Sequence, residues 1–224
     1  MLVKSDNKTM YNRKGLTMKS IKYEQLLNLN YDQAINHLMS KYGDATEDYF
    51  SEKSYQRFKD GEIKSLTKKK ISRTAEGLYC HHIDEDKQIM ISNPNAIKKY
   101  DIPFAYQRKD RLCYCDLIEH GILHAIIAVE QYKKFNTNDS NQLFGIGGYI
   151  NFIRPELTKW LINNDIPKAS WQLNCYNKIK MNSHDAGNLI DKIDSFLIKN
   201  YPITQDEINR ATQIYIDYGN SFKS

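Results

Sequence analysis

The sequence predicts an α+β protein in which a small strand-and-helix unit is embedded in a mostly helical chain. Three observations predict it. GLYCHHI, residues 77–83, has the aromatic and apolar content of a short strand. DLIEHGILHAIIAVEQY, residues 116–132, is apolar over several turns and reads as a well-buried helix. Beyond it, four stretches (149–163, 170–181, 185–199 and 205–218) have helical promise; Leu189, Ile190, Ile193, Phe196 and Leu197 form a broad apolar stripe in the third. With 224 residues, 41% of them hydrophobic, the chain can bury one good core, or one core and a small satellite.

Composition narrows the function classes. Charged residues make up 26% and Gly and Pro are few, which excludes wholesale disorder. The net charge of +5, from 32 basic and 27 acidic residues, permits an anionic partner without requiring one. MLVKSDNKTM has no apolar run behind its charges, and no stretch approaches the length of a membrane span. The reading is a cytoplasmic chain with reduced thiols and no membrane partner. Cys80, Cys113, Cys115 and Cys175 form no CxxC pair, which argues against a cysteine zinc knuckle. Alternation on a strand puts Cys113 and Cys115 on one face as buried thiols, with Cys80 facing them.

Along the chain, residues 1–20 read as frayed. In YDQAINHLMSKY, residues 31–42, Ala34, Ile35, Leu38, Met39 and Tyr42 recur at helical spacing, Gly43 stops the helix, and His37 lies on the polar face. Residues 44–60 are a short helix or an irregular linker. EIKSLTKKKISR, residues 62–73, carries Lys64, Lys68, Lys69, Lys70 and Arg73. It is either a solvated face or a basic approach for a phosphate backbone. QIMI, residues 88–91, is the hairpin partner of the first strand or a later strand, and SNPN is a turn signal. Asp116 caps the long helix, with Glu119 as its capping-box partner. FGIGGY, residues 144–149, lacks the lysine and hydroxyl of a phosphate loop and reads as close helix packing or a turn. The chain divides into an N-terminal region (1–60), a central module (61–135) and a helical C-terminal region (136–224).

Histidines concentrate in the centre. His120 and His124 are four apart on the long helix, so they share one face and can share one divalent metal. His81 and His82 are adjacent on the strand and point to opposite sides, so a division of labour suits them: one binds metal, the other handles protons. HExxH is absent, because Glu119 precedes His120 instead of following it.

HH at 81–82 followed by LCYCDLIEHGILH at 112–124 resembles the HNH nucleases, also called His-Me finger or ββα-metal nucleases, in their double-histidine version with an H-x-x-x-H ending. The resemblance covers about residues 76–125. It implies a two-stranded hairpin, a loop and a helix around one divalent ion. It further implies His81, His120 and His124 as metal ligands, His82 as the general base that activates water, and DNA as the substrate. The family's middle asparagine would fall at Arg111, beside Asp110. Arg111 cannot accept a hydrogen bond; it would instead clamp the scissile phosphate, and Asp110 would orient His82. Asn93 or Asn95 are the other candidates for the lost asparagine. Glu85 is placed near the site without direct contact, and Asp84 is as well read as plain surface.

The activity so implied is a metal-dependent DNA endonuclease using zinc, nickel, manganese or magnesium, with Arg108 and Lys109 as a second basic group near the site. The alternative is a catalytically degenerate module that binds DNA or protein around a structural metal. A helical interaction protein with incidental histidines is a third reading. The C-terminal helices are where a second copy or a protein partner would dock.

Overall fold

The computed structural model describes residues 3–4, 10–11, 18–135 and 144–221. The expected frayed segment falls mostly outside these residues, as does the polar stretch NTNDSNQ. What is described is mostly helical, with a small antiparallel sheet and an adjoining helix that bears a clustered His/Glu group, as the sequence predicts.

A short pairing of β1 (Val3–Lys4) with β2 (Met10–Tyr11) precedes α1 (Met18–Leu26) and α2 (Tyr31–Tyr42). Asn30 caps α2 in a reciprocal box: its side chain accepts from the Gln33 amide at 2.9 Å, and the Gln33 side chain accepts from the Asn30 amide at 3.1 Å. Gly43, at φ 77°, ends the helix in a conformation other residues resist. The stretch 44–60 is divided: its second half forms α3 (Glu52–Lys59), capped by Ser51.

The sheet is β3 (Tyr79–His82) paired with β4 (Leu112–Cys115), not with QIMI, which lies in turns. The pairing sets Tyr79 opposite Cys115, Cys80 opposite Tyr114, His81 opposite Cys113, and His82 opposite Leu112. Directly opposed residues share a face. Tyr79, His81, Cys113 and Cys115 therefore look toward the main core, while Cys80, His82, Leu112 and Tyr114 look the other way. This corrects the expectation for Cys80, which sits on the opposite face from the buried Cys113 and Cys115 and packs near Leu78, Leu112 and Tyr114.

Between the strands, residues 83–111 form an excursion with 3-10 turns and one short helix, α4 (Pro94–Lys99). Asn93 caps α4 through hydrogen bonds from the Asn95 and Ala96 amides, so its side chain is committed there. Ile91, Ile97 and Ile102 of the excursion pack against Phe50, Tyr55 and Phe58 as a satellite core.

Leaving β4, the chain enters α5 (Leu117–Phe135) directly. Asp116 accepts from the Ile118 and Glu119 amides at 3.0 Å each, and Glu119 accepts from the Asp116 amide at 2.9 Å, the capping box expected there. Leu117, Ile118, Ile122, Leu123, Ile126 and Ile127 are buried in the main core with residues from α1, α2 and the C-terminal helices.

After Gly145 a continuous helix, α6 (146–162), contains two π-helical stretches, Tyr149–Ile153 and Thr158–Ile162. Pro155 lies within it and lacks the N–H for a regular helical bond; wider turns accommodate such a gap. α7 (Ser170–Ile179), α8 (Ser183–Asn200) and α9 (Gln205–Ser221) complete the chain. A buried ion pair joins α6 and α8: Arg154 Nη2 lies 2.7 Å from Asp194 Oδ2. Arg154 also donates to Thr212 and Asn209 on α9, and Tyr149 donates to Asp194.

Candidate metal centre

β3 and α5 face each other across the main-core side of the sheet. β3 contributes His81, and the 3-10 turn that follows it (Ile83–Asp86) swings Glu85 back beside the strand. α5 contributes His120 and His124 from adjacent turns. One donor atom from each of His81, Glu85, His120 and His124 falls within 4.8 Å of all the others.

The separations suit a small ion. His124 Nε2 lies 3.2 Å from His120 Nε2 and 3.3 Å from Glu85 Oε2. Two nitrogens on one tetrahedral zinc stand about 3.3 Å apart, given zinc–nitrogen bonds of about 2.0–2.1 Å. His81 Nδ1 is 3.7 Å from Glu85 Oε2. That nitrogen is buried and has no hydrogen-bond partner, an arrangement proteins avoid unless something else satisfies the atom. Its ring is fully buried, held at Nε2 by the Tyr31 hydroxyl at 2.8 Å. His124 Nδ1 lies 3.2 Å from the Gly145 carbonyl, which can only accept, so the proton sits on Nδ1 and the Nε2 lone pair points into the cluster.

Electrostatics favour neutral ligands. Burial holds the imidazoles of His81 and His120 well below their ordinary range, and neighbouring histidines push further in the same direction. Burial takes His124 down to about 4. Glu85 is raised to about 7 by burial, opposed by a backbone hydrogen bond at His82. Three neutral imidazoles and a desolvated carboxylate form a cation site in search of a charge.

His82 faces away from this cluster. It is 2% exposed, its Nε2 lies 3.1 Å from Gln107 Oε1, and its Nδ1 is 3.9 Å from Glu85 Oε1. The Tyr49 ring lies against it, with centroids 4.5 Å apart, and the Lys68 ammonium sits over Tyr49 at 4.3 Å. Burial lowers His82 to about 4, partly opposed by the Gln107 hydrogen bond.

The remaining candidates are spread around the centre. Arg111 turns its Nε and Nη2 onto Asp84, at 2.7 and 2.5 Å. Asp84 is not surface: it is buried, and Lys87 also reaches it at 2.7 Å. Asp110 is exposed, and the side chain that meets His82 is Gln107. The two basic groups flank one strand-like segment. The Tyr49 amide donates to the Gln107 carbonyl, and the Lys69 amide donates to the Tyr49 carbonyl. This brings Lys68 and Lys69 to one side of Tyr49 and Arg108 and Lys109 to the other. Arg73 is committed to Glu76 and to the Tyr42 carbonyl, and Lys69 pairs with Glu47 at 3.2 Å. Lys64 and Lys70 are exposed.

Sequence reasoning missed Glu85 as a direct member of the cluster, and Tyr31 and Gln107 as ring partners. Glu85 left a signal: a carboxylate three and four residues beyond a histidine pair returns to it when the chain turns. Tyr31 left none, because its contact spans fifty residues.

Comparison with protein-family models, with curated proteins and with solved structures found no match to this chain. The strand–strand–helix unit with its His/Glu group is consistent with the HNH arrangement without being diagnostic of it. No described helix is long and apolar enough to cross a membrane.

Proposed function

We propose that this chain is a metal-dependent endonuclease that hydrolyses phosphodiester bonds in DNA. The observation that carries the proposal is the buried, unpartnered Nδ1 of His81, aimed at Glu85, His120 and His124 where a strand–strand–helix unit brings them together. His81, His120 and His124 would hold one divalent ion, with Glu85 as the adjacent carboxylate. When bound, that ion supplies a Lewis acid for the developing charge on the phosphate. His82 takes a proton from the attacking water. Tyr49 and Lys68 cover His82, and a phosphate competing for the Lys68 ammonium would lift that cover. Lys68, Lys69, Lys70, Arg108 and Lys109 contact the DNA backbone, and Lys64 extends the path. Arg111, steadied by Asp84, has Nη1 left to reach a phosphate oxygen.

A second reading is favoured by one observation. Four protein donors, two buried and two partly buried, also describe a structural zinc site, which keeps no position open. In that reading the module binds nucleic acid without cutting it.

Nicking of supercoiled plasmid by the purified chain tests the choice, with magnesium, manganese, nickel, zinc and EDTA, and with His82→Ala in parallel. Metal-dependent nicking that the His82→Ala variant loses, while it still binds zinc, supports the nuclease. Tight zinc binding with no nicking under any metal supports the structural reading. Charge reversal of Lys68, Lys69 and Lys70 to Glu should weaken DNA binding by at least about tenfold and flatten its salt dependence. Unchanged binding would remove these residues from the path.

A further inference from the structure

We infer that Tyr31 and Gln107 are positioning residues that fix the same tautomer on the two adjacent histidines, so that His81 and His82 both present Nδ1 toward the single carboxylate of Glu85. This rests on the reading of His81 as a metal ligand and is independent of whether the chain cuts DNA.

The argument follows from groups that can only accept. The Tyr31 hydroxyl has one proton and donates it to the Ile83 carbonyl at 2.9 Å. Toward His81 Nε2, 2.8 Å away, the same oxygen can therefore only accept. His81 must carry its proton on Nε2, which leaves the lone pair on Nδ1, the buried atom without a partner. Gln107 repeats the logic on the other face. The Ile91 carbonyl, 2.9 Å from its amide nitrogen, can only accept, so the NH2 group faces Ile91. Oε1 then faces His82 Nε2 at 3.1 Å and takes its proton, leaving the lone pair of His82 on Nδ1. The two free nitrogens lie 3.7 Å (His81) and 3.9 Å (His82) from the two oxygens of one carboxylate, outside hydrogen-bond range, and acceptor facing acceptor calls for a cation or a proton between them.

The consequence is specific. His81 would ligate through Nδ1, whereas the Gly145 carbonyl makes His124 ligate through Nε2. The division between the histidines is then one of place and not of tautomer: identically protonated rings differ in the face of the sheet they occupy, His81 toward His120 and His124 and His82 toward Tyr49 and Gln107. Both relays end on carbonyls of the excursion, Ile83 and Ile91, so the excursion sets the chemistry of the histidines that precede it.

Long-range proton–nitrogen NMR of the imidazoles, on the full chain with and without zinc, tests this. The expected result is a protonated Nε2 on both His81 and His82, with zinc moving Nδ1 of His81 and Nε2 of His124. Tyr31→Phe should disturb the His81 tautomer alone and weaken zinc binding by about 10–100-fold. Gln107→Leu should disturb the His82 tautomer alone and leave that of His81 unchanged. A proton on Nδ1 of either ring in the unaltered chain overturns the inference, and that measurement needs no variant to fold. Zinc affinity unchanged in folded Tyr31→Phe, or ligation of His81 through Nε2, overturns it as well. Plasmid cleavage enters none of these readouts.

Discussion

His81 and His82 are neighbours of identical chemistry in different electrostatic surroundings, and the difference can be measured by titration. His82 is lowered to about 4 from an ordinary value of 6.5, because burial penalises its charged form. Below pH 6.5 the unfolded chain binds a proton at this residue that the folded chain refuses, so stability from His82 is fully present above pH 6.5 and is lost as pH falls toward 4. The loss amounts to about 3 kcal/mol by pH 4. The stability difference between the parent and His82→Gln should therefore shift against the parent as pH drops from 7 to 4, in denaturant titrations at several pH values. A difference that stays constant would mean His82 titrates normally. Glu85 works in the opposite direction, since its raised value of about 7 makes the folded chain hold a proton that the unfolded chain has released. Comparing single variants isolates each contribution. At this scale the convergence of His81, His120 and His124 was legible because a helix repeats its face every three to four residues and a strand alternates. Tyr31 and Gln107 were not, since polar partners from distant segments carry no periodic signature.

Helix α6 reaches the centre through a glycine. A Cβ on Gly148 would lie 2.4 Å from His124 Nδ1 and Cε1, closer than any real contact, although its backbone is ordinary helix. The His124 ring has little room to retreat, being bonded to the Gly145 carbonyl and set against His120. Gly148→Ala should therefore push the ring out of line, weaken zinc binding by at least about tenfold, and destabilise the fold by about 1–3 kcal/mol. Calorimetric zinc titration alongside thermal unfolding separates the two effects; zinc affinity equal to the parent's would show the ring free to move. FGIGGY reads as close helix packing or a turn, and both occur: Gly145 turns at φ 69° and Gly148 packs against His124. The hairpin partner was harder to see. All four residues of LCYC are buried, because the main core covers one face of β4 and Leu78 with Ala45 covers the other. Such a strand shows no alternation, and its sequence cannot be told from the start of the helix that follows. QIMI competed for the role only by its apolar content.

Across the whole molecule, the helical mass behind α5 is fastened by charge as well as by apolar packing. Arg154 and Asp194 are both buried and satisfied by Tyr149, Gln205, Asn209 and Thr212. Removing one partner leaves the other ionised without compensation, which costs about 3–5 kcal/mol. Asp194→Asn should therefore lower Tm by about 10 °C, with little response to salt because the pair is shielded from solvent. A shift of under two degrees, roughly the effect of an ordinary surface substitution, would show the network to be redundant. The mostly helical architecture was legible in the sequence because apolar stripes mark its longer helices, α2, α5 and α8 among them. This network was not, since three of its members lie on α9 and only packing reveals which polar residues turn inward.

The excursion between β3 and β4 has a kinetic meaning. The two strands of the sheet are not a local hairpin, because residues 83–111 must be gathered before Ile83 and Arg111 come close enough for the strands to pair. Closing such a loop costs conformational entropy that the four-residue strands repay only afterwards. The satellite core of Ile91, Ile97 and Ile102 against Phe50, Tyr55 and Phe58 is the feature that gathers it. If this core closes before the strands pair, Ile97→Val should slow refolding in stopped-flow measurements with little change in unfolding; an unchanged refolding rate with faster unfolding would show that the core closes after the sheet. A hydrophobic latch remote from the His/Glu cluster would then set how fast its four donor residues are brought together.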